Sequence, residues 1–322
     1  MAYTKGLHDL GNGCYGYLQP DGGWGLSNAG LVTDRGEALL VDTLMDLPLT
    51  REMLATMRAE VPEAARIRTL VNTHANPDHT YGNQLVDGAE IVSSKACYEE
   101  MLEQTKPSPR GNIRTEWQKF GEAGAFFNEV MFSRFSKEPV TLTLASRTFA
   151  GELTVKVGDK DVRLVQMGPA HTKGDIVAYV PRDKTLFTGD MLFIGGHPIV
   201  WEGPYSNWIN ACERMLAWDV ETVVPGHGPI TDKSGIRAVK DYLEFVQREA
   251  RKRYDAGMAY EEAARDIRFT EFADWIDAER IVINVFTCYR EFANETGPFD
   301  RFAVLSATGR LYFDNHRSGK HP

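Results

Sequence analysis

This 322-residue sequence has little cysteine, no long apolar run and no extended basic segment. The four cysteines are far apart and never in CxxC spacing, which excludes a cysteine-rich zinc site and a dense disulfide framework. No uncharged apolar stretch approaches about 18 residues, the length of a transmembrane helix. The first residues do not show the positively charged segment and following apolar segment of a signal peptide. We therefore expect a cytoplasmic protein with no membrane partner. With 36 Lys and Arg against 45 Asp and Glu, the net charge of −9 disfavours nucleic acid as a partner.

The sequence also lacks the nucleophile signature of serine hydrolases. No Gly-x-Ser-x-Gly segment and no Ser-His-Asp arrangement is present, so a covalent acyl-enzyme is not expected. What is present is an average globular composition, with 43% apolar and 25% charged residues. A chain of this length can bury a substantial apolar core and does not need disulfide cross-links for stability.

The pattern of apolar residues changes near residue 231. Up to that point, short β-branched and aromatic runs alternate with turns, and helical patterns interrupt them at 49–61, 96–104 and 206–218. Beyond it, the 3.6-residue period of helices prevails. We predict an α/β domain at 1–231 and a helical C-terminal extension, packed on it, at 232–322. The predicted strands lie at 15–18, 28–33, 38–42, 69–72, 90–93, 153–157, 162–166, 176–180, 185–187 and 222–224.

One segment departs from this alternation. Between two predicted strands, residues 107–136 carry apolar side chains three, four and seven positions apart. This spacing predicts an amphipathic helix or helix pair, inserted into the sheet framework at about residues 98–138. Its apolar stripe either packs on the core or lines a substrate pocket, and we expect at least one of four side chains to face the pocket. These four are Trp117, Phe120, Phe127 and Met131.

Histidine is scarce, with eight residues, yet two of them lie within one seven-residue segment, THANPDH. The residues before this segment have strand character, so His74 and Asn76, two positions apart, project to one side of the strand's end. Pro77 keeps Asn76 extended and ends the strand. The chain then turns back, so that Asp78 and His79 point toward the same small volume.

Three further polar residues each follow a predicted strand: His171, Asp190 and His227. Glycine or proline lies close before each of them, which lets the backbone turn sharply at a sheet edge. Taken singly, a loop histidine or a Gly-Asp turn is usually ordinary surface structure. Together with the THANPDH segment they predict a metal site, because imidazole nitrogen and carboxylate oxygen suit zinc, iron or manganese.

These motifs, in this order, resemble those of the metallo-β-lactamase superfamily of hydrolases. The resemblance extends over about residues 12–231 and includes THANPDH, GPAHT, TGD and PGHG, with VDT as the early strand end. It implies a catalytic domain with an αββα sandwich that holds two divalent metal ions, zinc in first place, between its sheets. One set of side chains would hold the first metal: His74, Asn76 and His171. Another set would hold the second metal: Asp78, His79 and His227, with Asp190 bridging the two.

Asn76 departs from the family pattern HxHxDH, which has histidine at this position. An amide oxygen is a weaker, neutral donor than imidazole, so the first site should bind metal less tightly or favour a harder ion such as Mn(II) or Fe(II). A site with a single metal is the alternative. Its ligands would be Asp78, His79 and His227, with Asp190.

The resemblance further implies hydrolysis by a metal-bound hydroxide, with Asp78 or Asp190 accepting or steering the proton. The expected partner is a small-molecule acyl substrate with a thioester, lactone or activated ester bond. The aromatic insert favours a bulky apolar or aromatic acyl group. His197, seven residues after Asp190, either contacts the substrate, supports a metal ligand from behind, or is a purely structural histidine of its loop.

Several alternatives stay open at this point. Residues 72–83 are also similar to a branch of the superfamily that contains the cyclase/thioesterases of aromatic polyketide assembly. An iron-dependent oxygenase or redox enzyme on the same fold would use a similar ligand set, and so would a metal-binding protein without catalysis. The net charge of −9 disfavours a nuclease. The helical extension either caps the pocket, forms a homodimer, or does both.

Overall fold

Two β-sheets form the centre of the computed structural model, which describes residues 3–317. In the first sheet the spatial order of the strands is their chain order: β1 (Gly6–Asp9), β2 (Cys14–Leu18), β3 (Ala29–Asp34), β4 (Glu37–Val41), β5 (Ile67–Val71), β6 (Glu90–Ser94) and β7 (Arg147–Phe149). The second sheet contains β8 (Glu152–Val157), β9 (Lys160–Gln166), β10 (Ile176–Val180), β11 (Thr185–Phe187) and β12 (Thr222–Val224). Its spatial order is β12-β11-β10-β9-β8.

Helices cover both sheets and continue to the end of the described chain. Those before residue 231 are α1 (Leu47–Glu60), α2 (Pro77–Thr80), α3 (Lys95–Gln104), α4 (Ile113–Glu116), α5 (Gly121–Phe127) and α6 (Tyr205–Ala217). Those of the extension are α7 (Lys233–Asp255), α8 (Tyr260–Asp266), α9 (Ile281–Phe292) and α10 (Arg301–Arg317). Within residues 3–317, no helix combines the length and the apolar character that crossing a bilayer requires.

Alternating side chains on the strands build four layers. In β4, Leu39 packs between the two sheets, whereas Leu40 packs on the opposite face with residues of α1. In β10, Ala178 packs between the sheets, whereas Tyr179 packs on the outer face with residues of α6 and α7. Because side chains alternate across a strand, each sheet buries one face against the other sheet and one face against helices. The predicted αββα sandwich is confirmed.

The direction of the strands brings several strand ends to one edge. In the first sheet β4, β5 and β6 are parallel, so the segments after β4 and β5 leave from the same side. In the second sheet β10 is antiparallel to both β9 and β11, and β12 is parallel to β11. The segments after β9, β11 and β12 therefore also leave from one side. These are the segments that carry the predicted metal ligands.

The insert between β6 and β7 is helical, as predicted, but it is broken into short pieces. α4 is followed by a 3-10 turn at Trp117–Phe120, by α5 and by a π-helical turn at Asn128–Phe132. The insert packs on α10 at Gly309, where an added Cβ would lie 2.9 Å from the Cβ of Phe126. The extension thus holds the insert in place. A homodimer and the domain boundary at residue 231 stay predictions.

Candidate metal centre

The segment after β5 is tied to the neighbouring strand β4. Asp42, which follows β4, accepts hydrogen bonds from the backbone N–H of Thr73 at 2.7 Å and from its hydroxyl at 2.6 Å. This fixes the direction in which His74 leaves the sheet. Asp78 and His79 lie in the single turn of α2, which directs both side chains back toward His74.

Three loops at the ends of β9, β11 and β12 carry the remaining candidate ligands: His171, Asp190 and His227. Two glycines permit the close approach of these loops. Gly189 has a φ of 50°, and an added Cβ there would lie 2.3 Å from the hydroxyl oxygen of Thr73. An added Cβ at Gly226 would lie 2.1 Å from Oδ1 of Asp190. Any side chain at either position would therefore displace a residue of the centre.

Asp190 lies between two groups of imidazoles and presents one carboxylate oxygen to each. Its Oδ2 is 3.3 Å from Nε2 of His171 and 3.6 Å from Nε2 of His74. Its Oδ1 is 3.0 Å from Nε2 of His79 and 3.4 Å from Nε2 of His227. This arrangement would allow the Asp190 carboxylate to bridge two cations, one at each group.

The structure thus brings the predicted ligands together as two adjacent groups. The first group contains His74, His171 and Asp190, and the second contains Asp78, His79 and His227. Within each group the candidate ligand atoms all lie within 4.8 Å of one another. All six side chains are buried. Ligation of metal by these residues stays a prediction.

Each imidazole turns its Nε2 inward because an outer group holds its Nδ1. These outer partners are Asp42 Oδ2 for His79 (2.8 Å), the Ile199 carbonyl for His171 (2.7 Å), the Gly22 carbonyl for His227 (3.0 Å) and the Thr73 hydroxyl for His74 (3.0 Å). Among residues 3–317, three buried atoms at the centre have no partner with hydrogen-bond geometry: Nε2 of His74, Nε2 of His79 and Oδ1 of Asp190. Buried polar atoms without partners are costly, so these inward nitrogen and oxygen atoms fit a bound cation.

The protonation of the centre follows from burial and from its two carboxylates. Burial holds the pKa of His74 well below its usual value, and the neighbouring His79 lowers it further. Burial alone would lower the pKa of His227 as well, but the carboxylates of Asp190 and Asp78 outweigh it and raise the pKa to about 9. Burial would raise the pKa of Asp190, but the surrounding imidazoles, led by His227, hold it well below its usual range. Binding of a cation through Nε2 of His227 would therefore release a proton from this imidazole.

Asn76 reaches the first group through its amide nitrogen. Its Nδ2 lies 2.8 Å from Nε2 of His171. Because Nδ1 of His171 donates to the Ile199 carbonyl, Nε2 of His171 is unprotonated and accepts from the Asn76 amide. The predicted role of Asn76 as an oxygen ligand therefore requires its amide group to rotate.

A cavity of about 820 Å³ opens on the two groups, and the insert and the extension form much of its wall. Of the four side chains predicted to face a pocket, Phe127 and Met131 line this cavity. Trp117 and Phe120 do not line it. Phe120 packs on Phe302 instead, with ring centroids 5.0 Å apart. The pocket interpretation of the insert thus applies to one part of its apolar stripe.

His197 lies outside the cavity lining, so the structure does not bring it together with the other residues predicted to contact a substrate. Its side chain is fully buried beside the ring of Phe269, and its Nδ1 lies 2.9 Å from the hydroxyl of Tyr242. Its carbonyl accepts a hydrogen bond from Arg280 at 2.9 Å. His197 therefore connects the loop after Asp190 to the helices of the extension.

Asp42 was not among the predicted site residues, yet its carboxylate orients both the THANPDH segment and His79. The available signal was an acidic residue at the end of β4, the strand beside β5. Six aromatic side chains of the cavity wall were also missed: Trp24, Tyr81, Phe132, Phe193, Trp201 and Phe302. Phe193 stacks on the ring of His227, with centroids 4.9 Å apart, and so fixes the orientation of that imidazole.

The comparisons with known proteins agree with this geometry. The family model described as the metallo-beta-lactamase superfamily matches residues 22–227. The chain is 26% identical over 275 residues to the 2,4-dinitroanisole O-demethylase subunit alpha of Nocardioides sp. (strain JS1661), covering 83% of this chain and 68% of that protein. It is 28% identical over 187 residues to the acyl-coenzyme A thioesterase MBLAC2 of Gallus gallus, covering 52% of this chain and 59% of that protein.

Two solved structures show the same fold. A metallo-beta-lactamase from Pontibacter korlensis superposes with a TM-score of 0.58 at 19% identity, covering 75% of this chain and 99% of that one. The inverting sec-alkylsulfatase Pisa1 from Pseudomonas sp. superposes with a TM-score of 0.67 at 14% identity, covering 98% of this chain and 57% of that one. The likeness to the alkylsulfatase therefore extends through the helical extension.

Proposed function

Because this chain belongs to the metallo-β-lactamase superfamily, we propose that it is a metal-dependent hydrolase. The proposed substrate is a thioester, lactone or activated ester with a bulky apolar or aromatic acyl group. The observation that carries the proposal is the placement of Asp190 between two groups of inward-facing imidazoles, directly beneath a cavity with aromatic walls.

The proposed cofactors are two divalent ions, zinc in first place, with iron or manganese as alternatives in the first group. Bound divalent ions supply Lewis-acid chemistry, since they activate water at neutral pH and polarise a carbonyl oxygen. The first ion would be held by His74, His171 and Asp190. The second would be held by Asp78, His79 and His227, with Asp190 shared.

The side chains of this protein supply proton handling and substrate orientation. Both carboxylates line the cavity, and the Asp78 side chain is the more exposed of the two, at 10% against 3% for Asp190. We assign proton acceptance to the Asp78 carboxylate. Phe127, Met131 and Trp24 line the cavity and exclude water from an apolar acyl group.

The similarity to an acyl-coenzyme A thioesterase supports the thioester as the first bond to test. A second candidate is an aryl methyl ether, because the similarity to the O-demethylase subunit covers 83% of this chain. Hydrolysis of such an ether by one water molecule yields a phenol and methanol. Oxidative demethylation would instead consume oxygen and yield formaldehyde.

The test is a substrate panel with protein purified without added metal, after its metal content has been measured. The panel contains aliphatic and aromatic acyl-coenzyme A thioesters, aryl esters, lactones and 2,4-dinitroanisole. We expect thiol or alcohol release that stops when a chelator removes the metal and returns when zinc is added. Stoichiometric iron together with oxygen consumption would overturn the proposed hydrolase function. If 2,4-dinitroanisole were the one panel compound to react, with release of methanol, the result would favour an aryl methyl ether as the substrate.

Replacement of Asn76 by His is expected to raise the zinc content of the first group, because imidazole replaces an amide that now bonds to His171. The measurement is zinc per chain after exhaustive dialysis. Gln104→His is the matched control, since it also adds a histidine to the cavity wall. Equal zinc contents in wild type and Asn76→His would show that residue 76 does not contact the metal.

A further inference from the structure

Four cationic side chains line the metal cavity: Arg114, Lys173, Arg280 and Arg301. Arg280 is paired with Asp277 at 2.7 Å, and Arg301 is paired with Glu202 at 2.6 Å. Lys173 lies near Glu100, whose negative charge it partly offsets. Within residues 3–317, no carboxylate lies within 4.0 Å of the Arg114 guanidinium. Lys173 is exposed to solvent, so Arg114 is the half-buried cation of this wall that has no carboxylate of the described residues within ion-pair distance.

Contacts with Asn112, Ser136 and Tyr81 hold Arg114 in place. The side chain of Asn112 accepts a hydrogen bond from the backbone N–H of Arg114 at 2.9 Å and so begins α4. The Nη2 of Arg114 donates to the carbonyl of Ser136, which joins the two ends of the insert. Its guanidinium lies over the ring of Tyr81, 5.8 Å from the ring centroid. One N–H of the guanidinium is used within the insert, and its other N–H groups donate to no residue of the described chain.

Tyr81 brings this cation close to the metal centre. It follows α2 directly, and its backbone N–H donates to the Pro77 carbonyl at 2.9 Å, so its backbone continues the helical turn. Residues three apart share one face of a helix, which places Tyr81 on the same side as Asp78. Tyr81 lines the cavity. In the part of the chain that the structure describes, its hydroxyl donates no hydrogen bond.

We propose that Arg114 and Tyr81 form a carboxylate-binding subsite on the wall of the metal cavity. Among the described residues, the half-buried guanidinium of Arg114 has no counter-charge, and the neighbouring Tyr81 hydroxyl has no acceptor. A carboxylate would supply both, because it is planar and carries its negative charge on two oxygens. The neighbouring wall from the same insert is apolar, with Ile113, Met131 and Phe132. The substrate would thus carry an apolar or aromatic body and, at a distance from the scissile bond, a carboxylate. This refinement of the substrate class rests on the proposed hydrolase function, whereas the subsite itself can be tested without turnover.

The binding test compares 2-naphthoate with its neutral analogue 2-naphthamide by calorimetry, on protein of equal metal content. We expect Arg114→Met to weaken naphthoate binding by at least about 10-fold and to leave naphthamide binding unchanged. Arg114→Lys keeps the charge but not the planar guanidinium, so its affinity for naphthoate should lie between those of wild type and Arg114→Met. Tyr81→Phe should weaken naphthoate binding by a smaller factor than Arg114→Met.

Arg110→Met is the matched control, because Arg110 belongs to the same segment but pairs with Asp300 and does not line the metal cavity. It should leave the binding of both probes unchanged. Naphthoate that bound through metal alone would bind Arg114→Met as well as wild type, and this result would overturn the subsite. An equal loss for both probes would also overturn it, since it would reflect a general change of the wall. Thermal melting shows whether Arg114→Met folds. If it does not fold, the naphthoate affinity of Arg114→Lys tests the subsite instead.

The activity test uses the 4-nitrophenyl monoester of glutarate and the 4-nitrophenyl ester of pentanoate. Arg114→Met should raise KM for the glutarate ester at least about 10-fold, with kcat and the pentanoate reaction unchanged. If no ester is hydrolysed and Arg114→Met still loses naphthoate binding, the proposed function fails and the subsite stands. If the esters are hydrolysed and Arg114→Met behaves as wild type, the subsite fails alone.

Discussion

Replacing Asp190 by Asn is expected to remove most of the bound metal and to lower kcat/KM by far more than the roughly 10- to 100-fold that loss of an outer partner of a metal ligand costs. Each carboxylate oxygen of Asp190 faces one group of imidazoles, at 3.0 Å on one side and 3.3 Å on the other. An amide presents only one acceptor oxygen and carries no negative charge. It can therefore neither bridge two cations nor neutralise them. The measurements are metal per chain and kcat/KM with the best substrate of the panel.

The fold should survive this change, because Asp190 forms no part of the apolar layers between and outside the sheets. Thermal melting in the presence of a chelator compares wild type and variant without the contribution of metal binding. Asp161→Asn is the control, since it removes an exposed carboxylate from β9, a strand of the sheet that also contains β11, the strand before Asp190. Full metal content and near-normal turnover in Asp190→Asn would show that Asp190 is not the bridging ligand.

The two sheets could be predicted because their buried strands carry a clear apolar pattern. The predictions for 185–187 and 222–224 coincide with β11 and β12, whose residues are largely buried. β7 was missed because its residues Arg147, Thr148 and Phe149 are mostly exposed at the edge of the first sheet. β1, at the opposite edge, was missed for the same reason, since it includes Gly6 and His8 and none of its residues is buried. Edge strands carry a weaker apolar pattern than central ones.

The grouping of the candidate ligands could be predicted because strand ends place them in sequence order at one edge. The groups that orient them could not all be predicted. Two of the Nδ1 partners are backbone carbonyls, of Gly22 and Ile199, and they lie 205 and 28 residues from the imidazoles that they hold. Any residue type offers a carbonyl, so the sequence contains no sign of such a partner. The orientation of Asn76, whose nitrogen faces His171, likewise depends on a loop far along the chain.

In the insert, the helical spacing of apolar residues predicted a helix but not the surface that each side chain faces. The stripe predicted to face one surface is divided between two, because α10 packs on one side of α5 and the cavity opens on another. Phe126 was not part of the predicted stripe, yet it is completely buried between Trp24 and Tyr312. Phe127 follows it by one residue, which on a helix is a rotation of about 100°, and it lines the cavity. Two adjacent phenylalanines thus have different surroundings.

These two residues offer a matched pair of truncations. Phe126→Ala is expected to lower the free energy of unfolding by about 3–5 kcal/mol, because it removes a fully buried ring from the contact between the insert and α10. Phe127→Ala is expected to cost clearly less stability and to raise KM for bulky acyl groups, because its ring forms part of the cavity wall. Denaturant unfolding measures the first effect, and kinetics on short and long acyl thioesters measure the second.

The pair serves as its own control, since both variants remove the same side chain from neighbouring positions. The decisive quantity is the change in preference between long and short acyl chains, which a loss of packing alone does not alter. Phe127→Ala should reduce this preference, while Phe126→Ala, where it remains folded, should retain it. If both variants lost several kcal/mol and kept the wild-type preference, the ring of Phe127 would belong to the packed core, and the cavity would select its substrates through other residues.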